Sequence, residues 1–334
     1  MESRRNSSPQ ELVIASWNGE SNVPLRAFSA EELVKATNNF HSHHILAEDA
    51  FYLLYRGCFE KRPILVKKYG KEGSLWPHED TNSYATHDMA ITSQVCNHKN
   101  VLKLIGCCLE FQFSALVYEC ETSIKLLSNG LYEMDRSSDN LTLAWKTRLS
   151  IANDIASALV HLHTTFSTPI VHRNLKPGNI ILDQNGVAKL LDFSLAIRIP
   201  PGESQVEDMV VGTYGFAEPE YVATGIVTVK TDVYAFGMIM LELLTGKRIV
   251  DAKRGGSHGH LGNLVKMYMN EDQLNKVVDA RMIGEGIGVE QEQQFRAFVQ
   301  LALRCFEEKR EDRPEMKGVA EELSRIWRSV NVHS

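Results

Sequence analysis

The chain has 334 residues, of which 43% are hydrophobic and 23% are charged, with a net charge of −6 and an isoelectric point near 6.1. This composition is that of an ordinary globular protein, and it argues against nucleic acid or an anionic membrane surface as the main partner. No apolar run reaches the roughly 20 residues that a membrane-spanning helix needs, and the polar N-terminus lacks the apolar core of a signal peptide. We therefore expect a cytoplasmic protein with no integral membrane segment and with its six cysteines reduced.

The first predicted elements form a small sheet with helices packed on it. Residues 1–27 are assigned to a disordered tail, and a helix follows within FSAEELVKATNNF (28–40), where Ser29 and Glu32 form a capping box. The next elements are four strands with a helix among them: FYLLYRGCF (51–59), PILVKKY (63–69), the helix THDMAITSQVC (86–96), VLKLIGCCLE (101–110) and SALVYEC (114–120). Short strands in this order predict a mostly antiparallel sheet.

From Trp145 onward the sequence is mainly helical. Ile151, Ile155, Leu159 and Leu162 recur at helical intervals and predict a helix with one buried face. Later helices are predicted in the apolar stretch 234–246 and after residue 314. A sheet-rich part followed by a helix-rich part is the segregated α+β pattern, with the join near residues 120–125.

Eight residues in the middle of the chain, HRNLKPGN (172–179), resemble the catalytic loop of protein kinases, in which the third residue is an aspartate. Other kinase-like motifs occur in the same order as in that family: LVKK (65–68), LVYEC (116–120), LDFS (191–194), GTYGFAEPEY (212–221) and CFEEKREDRP (305–314). The resemblance covers residues 28–328. It implies a two-lobed α+β kinase fold, with a β-rich N-lobe at about 28–120 and a mainly helical C-lobe at about 121–328.

Two stretches, FSAEELVKATNNF and HKNVLKLIGCCLE (98–110), resemble plant receptor-like cytoplasmic kinases. The phrase GCCLEFQF (106–113) is most similar to the ZED-related (ZRK) pseudokinases. This resemblance implies a catalytically inactive adaptor or sensor in plant innate immunity. It would link a coiled-coil NLR immune receptor to bacterial effectors, or to partner receptor-like cytoplasmic kinases that effectors modify, and these partners could recruit it to the plasma membrane.

The loop that would hold the nucleotide phosphates lacks its glycines. Kinases use G-x-G-x-x-G, whose backbone lies against the phosphates, whereas this chain has LAEDAFYLLYRG (46–57). Ala47, Asp49 or Ala50, and Tyr52 stand where glycines are expected. We expect this stretch to fold as a plain hairpin that holds phosphate poorly.

The resemblance assigns Lys67 to the α- and β-phosphates, but the glutamate that would orient it is missing. Asp88 is the nearest acid in the matching helix and is one methylene shorter, while His87 fits the register about as well. We therefore expect a weak or absent ion pair at Lys67.

The remaining nucleotide-binding candidates are Glu119 and Glu121 in the hinge, and Asn179 and Asp192, which match the positions that hold Mg²⁺ in kinases. Ser194 replaces the glycine that kinases carry two residues after this aspartate, which restricts the backbone. The sequence leaves two alternatives open, since Asn179 and Asp192 either bind a metal or only satisfy backbone groups. No cofactor is required on this interpretation, and any binding of ATP and Mg²⁺ is expected to be weak.

Asn174 stands where kinases carry the catalytic base, and a neutral amide cannot accept a proton. The loss of a general base typically costs ~10²–10⁴-fold in rate. The residues that build the large lobe are retained, since the resemblance makes Asp232 the anchor of the catalytic loop and pairs Glu220 with Arg313 in the interior.

The leading interpretation is therefore a kinase fold without catalysis, used for its surface. The alternative is a weakly active Ser/Thr protein kinase that works through Lys67 and Asp192. Two hydroxyl residues between the metal-binding loop and the end of the activation segment, Ser204 and Thr213, are candidate sites of modification or partner contact.

Overall fold

The computed structural model describes residues 25–70, 78–132, 143–249, 261–283, 286 and 288–331. The chain forms two compact units. The first is the chain up to Ile124 together with Leu191–Leu195, and the second is Lys125–Leu190 together with the chain from Ala196 onward. The predicted tail comprises residues 1–27, of which residues 1–24 lie outside the described residues. The structure places Arg26–Ala27, at the end of that tail, in a strand.

The first unit is a six-stranded sheet with helices. Its strands are β1 (Arg26–Ala27), β2 (Ile45–Glu48), β3 (Tyr52–Phe59), β4 (Arg62–Tyr69), β5 (Leu104–Cys108) and β6 (Ala115–Glu119), and its helices are α1 (Ala30–Ala36) and α2 (His78–Val95). The strand order is β1-β5-β6-β4-β3-β2, antiparallel except that β1 runs parallel to β5. The four predicted strands are confirmed, and α2 begins at His78 rather than at residue 86.

One face of this sheet is covered by α1. The predicted capping box is present, because the Ser29 hydroxyl accepts a bond from the Glu32 amide and the Glu32 carboxylate accepts one from the Ser29 amide. The helix thereby starts at a fixed point and presents Leu33 to the sheet. The apolar cluster on this face comprises Phe28, Leu33, Tyr55, Ile64, Val66, Cys108, Ala115 and Val117.

Strand alternation places the functional candidates on the opposite face. Ile64 and Val66 belong to the cluster under α1, so Lys67 on the same strand points the other way. In the β3–β4 pairing Tyr52 lies opposite Tyr69 and Leu54 lies opposite Lys67, which puts all four side chains on one face. This face carries the candidate site.

The second unit is mainly helical. Its strands are short: β7 (Lys125–Leu126), β8 (Ile170–Val171), β9 (Ile180–Leu182), β10 (Ala188–Leu190), β11 (Ile197–Arg198), β12 (Val206–Glu207) and β13 (Ile226–Val227). Its helices are α3 (Leu127–Tyr132), α4 (Trp145–Thr164), α5 (Pro219–Thr224), α6 (Val229–Thr245), α7 (Leu261–Asn270), α8 (Val289–Cys305) and α9 (Met316–Asn331). The predicted α+β kinase fold is confirmed.

The helical core forms around α6, which is buried along nearly its whole length. Gly237 lets α6 approach α8 closely, because a Cβ at this position would lie 2.8 Å from the Cβ of Cys305. The four predicted apolar positions of α4 are all buried. None of the helices within the described ranges is both long and apolar enough to cross a bilayer.

The predicted pairing of Glu220 with Arg313 is wrong, because Glu218 is the buried acid. The Glu218 carboxylate contacts the Arg313 guanidinium, lies 2.9 Å from Nε of Arg310 and accepts a bond of 2.8 Å from the Thr231 hydroxyl. Glu218 is the N-cap residue of α5 and lies just before its first proline, whereas Glu220 lies in the first turn with a side chain 41% exposed. Two glutamates separated by a proline look equivalent in the sequence, and the start of the helix decides which one is buried.

Replacement of Glu218 by glutamine should destabilise the second unit far more than replacement of Glu220. The first change leaves a fully buried arginine without its counter-charge, which costs about 3–5 kcal/mol. The pair of Glu220 with Arg310 is longer, at 3.4 Å, and its carboxylate is 41% exposed, so it contributes at most about 1 kcal/mol. Urea unfolding of Glu218→Gln beside Glu220→Gln measures the two costs. Equal losses of unfolding free energy would contradict the assignment.

Candidate functional site

The candidate site of the first unit is centred on the ammonium group of Lys67. Its Nζ atom lies 2.6 Å from Oδ2 of Asp88 on α2 and 2.6 Å from Oδ1 of Asp192. The side chains of Lys67 and Asp88 are fully buried, and that of Asp192 is 1% exposed. The expectation of a weak or absent ion pair is therefore wrong, because the shorter aspartate reaches the lysine from α2.

Several hydrogen-bond donors surround the buried carboxylate of Asp88. Besides the ammonium group, its carboxylate accepts bonds from the hydroxyls of Tyr69 (2.8 Å), Thr92 (2.9 Å) and Tyr118 (3.4 Å) and from the Phe193 amide (2.9 Å). The polar atoms of this buried carboxylate are therefore satisfied within the protein. Tyr118, on β6, thus takes part in the cluster.

Two tyrosine rings cover the remaining sides of the Lys67 ammonium group. Nζ lies 3.9 Å from the ring centroid of Tyr52 and 4.9 Å from that of Tyr69, within the range of cation–π attraction. Burial by itself would lower the pKa of Lys67, but the charges of Asp192 and Asp88 outweigh it and raise the pKa. Lys67 is therefore a permanently charged group enclosed by protein atoms.

Ser194, two residues further along the chain, fixes the Asp192 carboxylate on the lysine. The Ser194 hydroxyl donates to Oδ1 of Asp192 at 2.6 Å, the same oxygen that contacts Lys67. The Asp192 backbone adopts a left-handed conformation with φ 68°, which is uncommon for a residue other than glycine. The serine that replaces the kinase glycine therefore adds a hydrogen bond that holds this carboxylate on Lys67.

The hairpin that replaces the glycine loop is a tight turn, as predicted. The Asp49 amide donates to the carbonyl of Tyr52 (3.0 Å), and the Asp49 carboxylate accepts from the Ala50 amide (2.7 Å). The Phe51 ring lies 4.6 Å from the ring of Tyr84 on α2 and holds the turn against that helix. The Ala50 amide is thus already bonded within the protein, where a kinase loop presents its amides to phosphate.

These residues do not fit Mg²⁺-ATP. A phosphate oxygen that binds an ammonium group must come within about 2.9 Å of the nitrogen, and the two carboxylates and the Tyr52 ring occupy the surroundings of the Lys67 nitrogen. The Asp192 oxygen that contacts Lys67 also accepts a hydrogen bond from the Ser194 hydroxyl. In the part of the chain that the structure describes, no group of three or more His, Cys, Asp or Glu side chains could hold a metal ion.

The two hinge candidates have other contacts within the first unit. The Glu119 side chain is 58% exposed and pairs with Lys103 at 2.8 Å. Glu121 lines a shallow cavity of about 310 Å³ together with Arg56, Cys58 and Cys120, among others. Neither glutamate contributes to the Lys67 cluster.

In the second unit, Asn174 is held by hydrogen bonds of its own loop. Its side-chain oxygen accepts from the Thr213 hydroxyl at 2.7 Å, and its carbonyl accepts from Nδ2 of Asn179 at 2.8 Å. Asn174 and Asn179 lie in the second unit, whereas Lys67 and Asp192 lie in the first. The two predicted metal ligands, Asn179 and Asp192, therefore belong to different units.

Asp232 anchors this loop from α6. Its carboxylate accepts bonds from the His172 amide (2.8 Å) and the Arg173 amide (3.0 Å) and lies 2.9 Å from Nε2 of His163. Complete burial would raise the pKa of Asp232, but the hydrogen bond and charge of His163 and the His172 amide lower it below the ordinary value. The loop keeps its shape although Asn174 cannot act as a base.

Arg173 holds the following segment, a contact that the sequence analysis missed. Its guanidinium lies 2.5 Å from the Asp208 carboxylate and donates to the Met209 carbonyl (2.8 Å) and the Tyr221 hydroxyl (3.0 Å). Asp208 carried no signal in the sequence, because one acid among several in a loop has no characteristic spacing. The Asp208 carboxylate, which is 43% exposed, thus orders this segment through Arg173.

The comparisons with known proteins agree with the geometry. A protein kinase domain matches residues 60–323 of the chain. The "Non-functional pseudokinase ZED1" of Arabidopsis thaliana is 40% identical over 323 residues, which are 95% of this chain and 93% of that protein. The "Serine/threonine-protein kinase ZRK1" of the same plant is 38% identical over 95% of this chain and 90% of its own length.

A third relative, the "Non-functional pseudokinase ZRK2" of Arabidopsis thaliana, is 36% identical over 94% of this chain and 86% of its own length. The names of these relatives thus include both inactive and active kinases, so catalysis must be judged from the residues. Similarity over nearly the whole of both chains fixes the family. The chain belongs to the protein kinase family and, within the plant receptor-like cytoplasmic kinases, to the ZED1-related (ZRK) group.

Proposed function

We propose that this protein is a catalytically inactive kinase-fold adaptor or sensor in plant innate immunity. The closed cluster around Lys67 is the observation that carries the proposal, because Tyr52 and two carboxylates enclose the group that kinases present to the phosphates. Phosphoryl transfer depends on positioning of the phosphates and on charge stabilisation more than on covalent chemistry. An enclosed lysine supplies neither.

At the position of the remaining requirement, a base, the second unit carries Asn174. The Asn174 amide has no proton affinity at ordinary pH, and its oxygen is bonded to Thr213. In contrast, the buried contacts of Asp232 and Glu218 that hold the fold are complete. The chain thus keeps the buried contacts that hold the fold, whereas the position of the catalytic base carries an amide. This combination supports the proposal that the protein acts by binding partners through its surface.

The membership of the ZRK group supports a specific set of partners. We propose a coiled-coil NLR immune receptor as one partner, and receptor-like cytoplasmic kinases or bacterial effectors as the partners that are detected. The protein would act in the cytoplasm and reach the plasma membrane through these partners. A weakly active Ser/Thr protein kinase is the second candidate, favoured by the retained Lys67 and Asp192 and by the name of the relative ZRK1.

A surface for such a partner is available on the second unit. Four exposed apolar side chains lie between positions 209 and 222, and they are Met209 (68% exposed), Val210 (44%), Tyr214 (87%) and Val222 (53%). The Arg173–Asp208 ion pair orders the segment that carries them. We refer to these four residues as the apolar patch, since exposed apolar side chains are common at protein interfaces.

The two hydroxyl candidates differ in their surroundings. Ser204 is exposed and is open to modification by an effector. Thr213 is half-buried and donates to Asn174, so its change would disturb the loop around Asn174 as well. We therefore propose Ser204 and the apolar patch as the partner surface, with Thr213 as a structural contact beneath it.

Phosphate transfer from ATP to the protein itself or to a generic substrate should be undetectable. Asn174→Asp should not restore it, because Lys67 stays enclosed in the other unit. Incorporation of labelled phosphate is measured for the wild type, for Asn174→Asp and for a control with Lys67→Ala and Asp192→Ala. A turnover of Asn174→Asp near the usual ~1–100 s⁻¹ of kinases would contradict the proposal.

Disruption of the apolar patch should abolish partner recruitment with little change in stability. Met209 and Tyr214 are both exposed, so replacement of both by serine removes contact area without opening the core. Co-purification is measured with a panel of coiled-coil NLR receptors and receptor-like cytoplasmic kinases. Val289→Ser is the matched control, since Val289 is a 75% exposed apolar residue elsewhere on the second unit. Unchanged recruitment by the patch variant would refute this surface.

A further inference from the structure

The cluster around Lys67 retains the charged residues of a nucleotide site and encloses them with an added side chain. Lys67, its acidic partner on α2 and Asp192 are all present, and both ion pairs are 2.6 Å long. Tyr52 stands at a position where a kinase has glycine, and it is 1% exposed. Its ring centroid lies 3.9 Å from the Lys67 nitrogen, so the ring is in direct cation–π contact with the ammonium group.

The other two tyrosines of the cluster, Tyr69 and Tyr118, hydrogen-bond to Asp88. The Tyr69 hydroxyl donates to Asp88 at 2.8 Å and that of Tyr118 at 3.4 Å, so both support the ion pair on its carboxylate side. The Tyr69 ring is also further from Nζ, at 4.9 Å. Tyr52 is the aromatic ring that lies closest to the ammonium group, and it belongs to the strand that follows the degenerate hairpin.

We propose that Tyr52 is the residue that excludes nucleotides from this protein, because its ring lies against the Lys67 ammonium group that a phosphate would have to approach. The inference rests on the proposed function, because an adaptor that does not use ATP tolerates a side chain in this place. Without the ring, a phosphate oxygen can approach Nζ while Asp88 continues to orient the lysine.

Ser194 is the second determinant of the closed state. Its hydroxyl donates a hydrogen bond of 2.6 Å to the Asp192 oxygen that contacts Lys67. The substitution Ser194→Gly removes this hydrogen bond and restores the residue that kinases carry here. The combination of Tyr52→Ala with Ser194→Gly should therefore bind Mg²⁺-ATP more tightly than Tyr52→Ala alone. Neither change supplies a base, and phosphate transfer should remain absent in both.

The test is thermal unfolding of the full chain with increasing Mg²⁺-ATP, measured for the wild type, Tyr52→Ala, Tyr52→Phe and Tyr52→Ala combined with Lys67→Met. The expected result is a rise in the Tm of Tyr52→Ala by several degrees at about 100 times its Kd. Tyr52→Phe retains the ring and should behave as the wild type, with no shift. The variant that also lacks Lys67 should lose the shift. Tyr52→Val is measured in parallel, so that the comparison stands if the alanine variant does not fold.

Several outcomes would overturn the inference. The absence of a shift in a folded Tyr52→Ala or Tyr52→Val variant would show that the ring is not what excludes ATP. A shift in Tyr52→Phe equal to that in Tyr52→Ala would also show that the ring does not exclude ATP, and a shift that persists without Lys67 would place the nucleotide elsewhere. A shift in the wild type would show that the site is open, and the phosphate-transfer assay would still decide the proposed loss of catalysis independently.

Discussion

The ion pairs of Lys67 are the constraint on which the first unit depends. One buried ammonium group joins β4, α2 and the segment Leu191–Leu195, because its two carboxylate partners come from the latter two elements. Buried charges are costly to remove from water, and they persist only when opposite charges and hydrogen bonds surround them. Here the hydroxyls of tyrosine, threonine and serine residues provide those bonds. The stabilising contacts of the cluster are therefore the same contacts that remove Lys67 from any ligand.

The second unit shows the same division between structure and chemistry. Asp232 and Glu218 are buried acids with complete sets of donors, and they fix the loop around Asn174 and the start of α5. Asn174 keeps the hydrogen bonds of that loop and lacks the basicity that a catalytic residue needs. The apolar patch, part of which follows the segment held by Arg173 and Asp208, is a surface that the proposed adaptor would present.

Much of the fold could be predicted from the sequence because local patterns determine it. The capping box at Ser29, the strands around Lys67 and the helical spacing of α4 all follow from short-range rules. The errors concern which of two candidate side chains meets a distant partner. Asp88 reaches Lys67 although it is shorter than glutamate, and Glu218 replaces Glu220 at Arg313, since backbone positions set by the whole fold decide both contacts. The enclosure of Lys67 by Tyr52 likewise depends on the pairing of two strands.

The reactivity of Lys67 toward an amine-acylating reagent tests the closed cluster most directly. Mass spectrometry of the native protein gives its modification rate beside that of Lys103, whose side chain is 52% exposed and forms a surface ion pair. The enclosed ammonium group should react only when the first unit opens, which makes Lys67 at least ~10³-fold slower than Lys103 for a unit of ordinary stability. A rate for Lys67 within about tenfold of that for Lys103 would contradict the account, because the lysine would then be open to solvent and to phosphate.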